Sequence, residues 1–356
     1  LNRLNEYGLN EHFLTQAKLY PNFEICRVVS QYKDLYKVMT NEDELLAEIS
    51  GRFRFNVKNL CDYPAVGDFV MIDRSNGQSG NAIIHHILNR KSSFKRTAVG
   101  VKNQTQVVAS NIDTIFICMS LNNDFNLRRL ERYLSIAWDS NAIPVVLLTK
   151  SDLCEDIPQK LNEISNVAIG VDVIVTSGLN ESSLEQLSPY LKYGTTSSFI
   201  GSSGVGKSTL INLLIGKELF STNDIGKDDK GRHTTTRREL ILLSRGGVVI
   251  DTPGMREVGV DSTDLSKTFS DIDDFAEQCK FKDCSHNAEP GCAVRLAIKD
   301  GKLSEERLES YFKLKKETRY DGLNSKQIER EKINSMFGGL GEMKNAKKLV
   351  KNKNKT

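Results

Sequence analysis

No run of about 18 consecutive apolar residues occurs in this chain, which excludes a membrane-spanning helix. The first residues, LNRLNEYGLNEHFLTQ, lack an apolar core and a small-residue cleavage site, so they do not read as a secretory signal. A cytoplasmic location with no membrane partner is the resulting expectation. Internal repeats are absent, so the chain is not a repeat array. A paired set of cysteines is also missing. There are seven, and Cys26, Cys61, Cys118 and Cys154 lie scattered in or beside apolar stretches, as reduced thiols do. A disulfide framework is therefore not expected.

Charge is nearly balanced over the whole chain, at +3, but not along it. From Lys313 to Thr356 there are 13 Lys/Arg against 5 Asp/Glu, which leaves the preceding residues net acidic. A basic terminal arm on an acidic body fits contact with a polyanion such as RNA, or a solvated tail. At 356 residues the chain exceeds the usual domain size of roughly 100–200, so two or three domains are expected. The expected division is a leader at 1–22, a barrel at 23–98, a nucleotide-binding domain at 99–265, a metal-binding helical domain at 266–335, and a basic, disordered tail at 336–356.

Between Phe23 and Arg96 the runs ICRVV, LYKVMT, ELLAEI, GRFRF, DFVMID and AIIHHIL are short and β-like, separated by turn residues. About five short strands in so little chain predict a small closed barrel. The pattern then changes to continuous apolar runs, DTIFICMSL, IPVVLLTK, VDVIVTS and SSFIG, with helical stretches such as LRRLERYLSIAW between them. Such runs suit parallel strands buried on both faces, so an α/β domain is expected.

Gly201-Ser202-Ser203-Gly204-Val205-Gly206-Lys207-Ser208 matches the phosphate-loop pattern in full, follows the run SSFI, and opens a helix at Ser208-Thr209. Its glycines let backbone N–H groups face phosphate oxygens, Lys207 would reach the β- and γ-phosphates, and Ser208 would ligate Mg²⁺. Asp251 and Gly254 form a D-x-x-G on the run VVIDTPG, placed for the magnesium shell and the γ-phosphate. Between these motifs, Gly231-Arg232-His233-Thr234-Thr235-Thr236 stands where a switch loop would carry a Mg²⁺-binding Thr. The spacing leaves all three Thr open, with Thr235 favoured.

Thr149-Lys150-Ser151-Asp152 resembles the N-K-x-D guanine element, in which the Asp accepts from guanine N1 and N2. Thr149 replaces the usual Asn, which predicts weaker affinity with guanine preference retained. Ser177, in VTSG, fits the loop that contacts guanine O6. These guanine elements precede the phosphate loop, the reverse of the usual order, so the domain reads as a circularly permuted P-loop GTPase binding GTP and GDP. The rotation leads the segment after Gly254 straight into Cys279-x₄-Cys284-x-His286-x₅-Cys292. Three thiolates and an imidazole form the ligand set of one closed, structural Zn²⁺ site.

A permuted GTPase domain preceded by a barrel and followed by a Cys/His module resembles the ribosome small-subunit-dependent GTPases, the RsgA/YjeQ family. The resemblance covers residues 23–320. It implies an N-terminal OB-fold, GTP hydrolysis stimulated by the small (30S) ribosomal subunit, and a role in late assembly of that subunit. Met255 occupies the position after D-x-x-G where many GTPases carry a water-orienting Gln; the resemblance makes His233 the candidate for that task. It also supports rRNA contact by Arg52 and Arg54, read as one face of a strand in Arg52-Phe53-Arg54-Phe55, and by Arg90, Lys91, Lys95 and Arg96 around Phe94. The rivals are a GTP-dependent metallochaperone and an RNA-binding module whose nucleotide is never hydrolysed. A monomer is the expected state.

Overall fold

Apolar alternation between residues 24 and 87 produces five strands: β1 Glu24–Gln31, β2 Tyr36–Met39, β3 Glu44–Ile49, β4 Phe69–Ile72 and β5 Ala82–Ile87. The computed structural model describes residues 3–32, 35–75, 80–97, 105–177, 185–216, 239–244, 246–251, 265–287, 289–319 and 327. The five strands pair in the cyclic order β1-β2-β3-β5-β4-β1, parallel only between β3 and β5. Closure removes sheet edges, and Cys26, Val28, Val38, Val70 and Ile84 fill the interior. Arg52-Phe53-Arg54-Phe55, expected as a strand, instead forms helix α3 (Gly51–Asn56). Ser50 caps it by accepting from the Phe53 N–H. Phe55 is 90% exposed, so strand alternation misplaced this segment.

The N-terminal residues are part of the packing. Short helices α1 (Arg3–Glu6) and α2 (Glu11–Ala17) deliver Leu4 and Phe13 into a core shared with Phe69 of β4. The Phe13 and Phe69 rings lie 4.2 Å apart. Strand β6 (Ser93–Thr97) pairs antiparallel with β7 (Thr105–Ser110), so the boundary expected at 98/99 falls inside one two-stranded sheet. Phe94 is core rather than surface.

Beyond this hairpin come β8 Thr114–Ser120, helix α4 Leu127–Asp139, β9 Ile143–Thr149, α5 Ile157–Ser165, β10 Asp172–Val175, β11 Thr196–Gly201 and α6 Lys207–Ile215, then β12 Glu239–Leu242 and β13 Val248–Asp251. The sheet order is β10-β9-β8-β11-β13-β12, parallel except for β12. Successive residues of β8 face opposite sides. Ile115 and Ile117 join Leu130 and Leu134 of α4, while Phe116 and Cys118 join Leu210 and Leu214 of α6. Both faces are therefore covered, as the unbroken apolar runs require. Helices α7 (Ser270–Ala276), α8 (Ala293–Lys299) and α9 (Glu305–Arg319) close the chain's described part around Phe269, Ile272, Leu308 and Leu314.

Two buried cations join these parts. Arg27 of β1 donates to the carbonyls of Tyr7, Gly67 and Asn111, which belong to the leader, the barrel rim and the β7–β8 turn. Its burial lowers the guanidinium pKa to about 10, so it stays charged at neutral pH. Arg307 of α9 pairs with Asp271 of α7 and with buried Glu131 of α4. Arg27→Met keeps much of the volume but strips charged donors from three carbonyls. It should cost about 3 kcal/mol of stability, read as a lower urea midpoint; an unchanged midpoint would show that the clamp contributes nothing.

Candidate nucleotide site and metal centre

The phosphate-loop segment leaves the carboxyl end of β11, the strand hydrogen-bonded between β8 and β13. Ligands in α/β sheets gather at this rim. Gly201 has φ +148°, and a Cβ there would sit 2.4 Å from the Cys118 carbonyl, so only glycine lets the loop depart so close to β8. Gly206, at φ +101°, turns the chain into α6, whose first residues are Lys207, Ser208 and Thr209. Lys207 Nζ donates to the carbonyls of Gly201 (2.7 Å) and Ser202 (2.6 Å), arching across Ser203, Gly204 and Val205. The first turn of α6 begins directly at this loop, and a helix N-terminus suits an anionic group.

Two strands earlier in sequence, and separated from β11 in the sheet by β8 alone, β9 ends at Thr149. Its Oγ1 donates to the Val205 carbonyl at 2.6 Å. This bond ties the guanine-type element to the phosphate loop, so Thr149 has a positive task and is more than a poorer Asn. Lys150 follows in the left-handed region (φ +56°), a costly conformation for a lysine and one often kept at binding sites. Ser151 and Asp152 then form a short 3₁₀ turn. Ser177 Oγ donates to Asp152 Oδ1 at 2.9 Å, and the Ser151 N–H reaches the Thr176 carbonyl. Residues 149–152, 176–177 and 201–209 thus share one rim. Asp251 ends β13 on the same edge, with Ile250 paired to Ser198 of β11. His233, Thr234, Thr235, Thr236, Gly254 and Met255 lie outside the described residues.

These features belong to a known group. The family profile described as RsgA GTPase matches residues 87–261. A curated relative from Lactiplantibacillus plantarum, named small ribosomal subunit biogenesis GTPase RsgA 2, is 50% identical over 97% of this chain and 97% of its own. The chain belongs to the RsgA GTPase family. A Methanosarcina acetivorans RsgA is 42% identical, covering 94% of this chain and 92% of its own. Among solved structures, YjeQ from Thermotoga maritima matches with a TM-score of 0.61 and 28% identity over 82% of this chain and 97% of that one. YloQ, described as a circularly permuted GTPase, matches with a TM-score of 0.59 and 25% identity over 82% and 93%. The permuted order read from the motifs is the RsgA-type order, and the barrel of five strands precedes it here.

In the helical module of this RsgA-family chain, Cys279, Cys284, His286 and Cys292 bring their ligand atoms within 4.8 Å of one another. His286 Nδ1 lies 3.6 Å from Cys279 Sγ and 3.5 Å from Cys292 Sγ, and the two sulfurs are 3.9 Å apart. Metal–sulfur bonds of about 2.3 Å give tetrahedral edges of about 3.8 Å, so the cluster can hold a metal ion. Burial raises the Cys279 thiol, but the N–H groups of Val294 and Ala293 and the neighbouring thiols outweigh it and lower the pKa. The His286 N–H favours a thiolate at Cys284, yet partial burial and the sulfurs of Cys292 and Cys279 push that group up to about 11. Such crowded sulfurs shed their protons together only with a cation between them. Arg295 Nε fixes the loop by donating to the His286 carbonyl at 2.6 Å.

The residues expected to face RNA divide. Arg90 is committed internally, to both oxygens of buried Asp68 and to the carbonyls of Cys61 and Tyr63, which corrects its reading as a surface contact. Lys91 pairs with Asp113. Arg52 and Arg54 are exposed, but on α3 rather than on a strand, and Lys95 is exposed on β6 beside Arg96. Arg52 and Phe53 line a groove of about 690 Å³ with His85, His86 and Asn89. Sequence reasoning passed over both histidines. The register shift between β4 and β5 marks a bulge there, and Phe23 packs on His85 and Tyr20 on His86.

Thr149→Val keeps the branched shape but loses the bond to Val205. Guanine nucleotide affinity should fall by up to about ten-fold, with Thr149→Ser close to the parent, as one neutral hydrogen bond allows. Fluorescent-nucleotide titration checks this, and equal affinities for all three would deny the tie any role.

Proposed function

We propose that this chain hydrolyses GTP under stimulation by the small (30S) ribosomal subunit and acts as a late assembly factor of that subunit. The observation that carries the reading is the convergence of Lys207, Thr149 and Asp152 on one rim in a chain half identical to a protein named for small-subunit biogenesis. In this reading Asp152 selects guanine, because its carboxylate accepts from N1 and N2 of guanine and adenine leaves it unpaired. Lys150 lies along the base, and Ser177 holds Asp152 in place. The N–H groups of residues 201–209 and Lys207 cradle the phosphates. Ser208, Thr235 and Asp251 hold Mg²⁺, which neutralises charge on the β- and γ-phosphates. Gly254 meets the γ-phosphate.

Met255 cannot orient the attacking water, so intrinsic hydrolysis is slow and His233 takes that role when the ribosomal subunit completes the site. Activator completion of this kind is typically worth about 10³–10⁵-fold. The cysteine and histidine cluster holds one structural Zn²⁺. With four protein ligands it leaves no open position, which favours a fixed metal over a metal in transit. The exposed Arg52, Arg54, Lys95 and the basic tail give the rRNA contacts, and the protein works as a cytoplasmic monomer.

Phosphate release should rise steeply when purified small subunits are added to the chain, and not with large subunits. His233→Ala should bind GTP normally and lose that stimulation; unchanged stimulated turnover would remove His233 from the mechanism. Chelation should release one zinc, measured by mass spectrometry, lower helicity by circular dichroism and weaken subunit binding. Metal loss with no change in helicity would contradict a structural site.

A further inference from the structure

The loop between β8 and α4 touches the phosphate loop through one side chain. Ser202 Oγ donates to Asp124 Oδ2 at 2.5 Å. Arg129, in the first turn of α4, donates to both Asp124 oxygens at 2.8 Å each. Burial works to raise the Asp124 pKa, but the bonds from Ser202 and Arg129 prevail and hold it below the usual carboxylate value. A bare carboxylate beside a phosphate-binding loop would repel the ligand, and the Arg129 guanidinium, whose Nη1 meets both oxygens, cancels that charge. The same helix carries the contacts to the metal module. Glu131 receives Arg307, Arg132 pairs with Glu317, and Ser135 Oγ bonds Thr268 Oγ1. Trp138, the only tryptophan in the sequence, stands near the other end of α4 with Lys267 Nζ 5.4 Å from its ring centre.

We propose that Asp124 is a positioning residue for the nucleotide site: it holds Ser202, and through Arg129 it makes α4 the element by which phosphate-loop occupancy is felt at the metal module. Asp124 touches no reacting atom in this scheme. Its carboxylate sets where the loop begins, and any shift of the loop on taking up nucleotide pulls on the first turn of α4. Coupling of this kind is reciprocal, so the grip of Arg307 on Glu131 in turn biases the loop. The inference rests on the nucleotide-site assignment.

The test is a double-mutant cycle on the full, metal-loaded chain, using fluorescent GTP binding and acrylamide quenching of Trp138. Ser202→Ala and Asp124→Ala should each weaken GTP binding by about ten-fold, the double variant being no weaker than either, because one charge-assisted bond is removed in all three. Asp124→Asn keeps an acceptor for Ser202 and should recover most of the affinity. Saturating GTP should change Trp138 quenching in the parent but not in Ser202→Ala or Asp124→Ala at their own saturation. A purely structural role would lower the melting temperature and leave the quenching response intact. Additive losses, unaltered affinities, or a Trp138 response that is absent in the parent or persists in both variants would overturn the proposal. A parent that bound no GTP would overturn the nucleotide-site assignment first, whereas normal parental binding with unaffected variants overturns this inference alone.

Discussion

The parallel register of β11 between β8 and β13 is the constraint on which the site depends. Because these strands point the same way, their carboxyl ends open onto one rim, and each following loop arrives there without further design. The loop after β11 brings Lys207, the one after β9 brings Asp152, and the one after β8 brings Asp124. Rotating the chain order leaves this arrangement untouched, since hydrogen-bonded neighbours in a sheet need not be neighbours in sequence. The bond from Thr149 to the Val205 carbonyl then sets the spacing between the end of β9 and the loop after β11.

What the rotation changes is the company the domain keeps. β1 of the barrel joins the outer edge of the same sheet through Ser30 and Glu239, and Arg27 ties leader, barrel and sheet through backbone carbonyls. A guanidinium with its donors occupied by fixed carbonyls tolerates burial that a lysine would resist, because its pKa starts higher and its donors are planar and rigid. On the opposite flank the helical module leans on α4 through Arg307 and Glu131, charges that only make sense as a pair. A metal held by Cys279, Cys284, His286 and Cys292 would stiffen the far side of that module.

Much of this was legible in the residues alone. The phosphate-loop pattern, the Thr149–Asp152 pattern and the Cys/His spacing are local, each written in a few nearby side chains, so the order of the first two along the chain revealed the permutation. The strands of the GTPase domain were visible as unbroken apolar runs, since burial on two faces leaves its mark on every position of β8, β9 and β11. The barrel was visible as short alternating runs, with one error: the alternation in Arg52-Phe53-Arg54-Phe55 also fits one turn and a half of helix, and the Ser50 cap decided for helix.

Sequence by itself therefore determined the fold class and which residues make up each local motif. Only the tertiary structure decided which charges are spent inside the molecule. Arg90 reads as a surface cation until Asp68 and two carbonyls enclose it, and Arg307 stands beside Glu305, Glu306 and Glu309 in sequence yet pairs with Glu131 and Asp271. The physical reason is distance along the chain. A helix cap or a metal-ligand spacing is written within a few residues, whereas the partner of a buried charge is chosen by packing between segments that share no sequence signal.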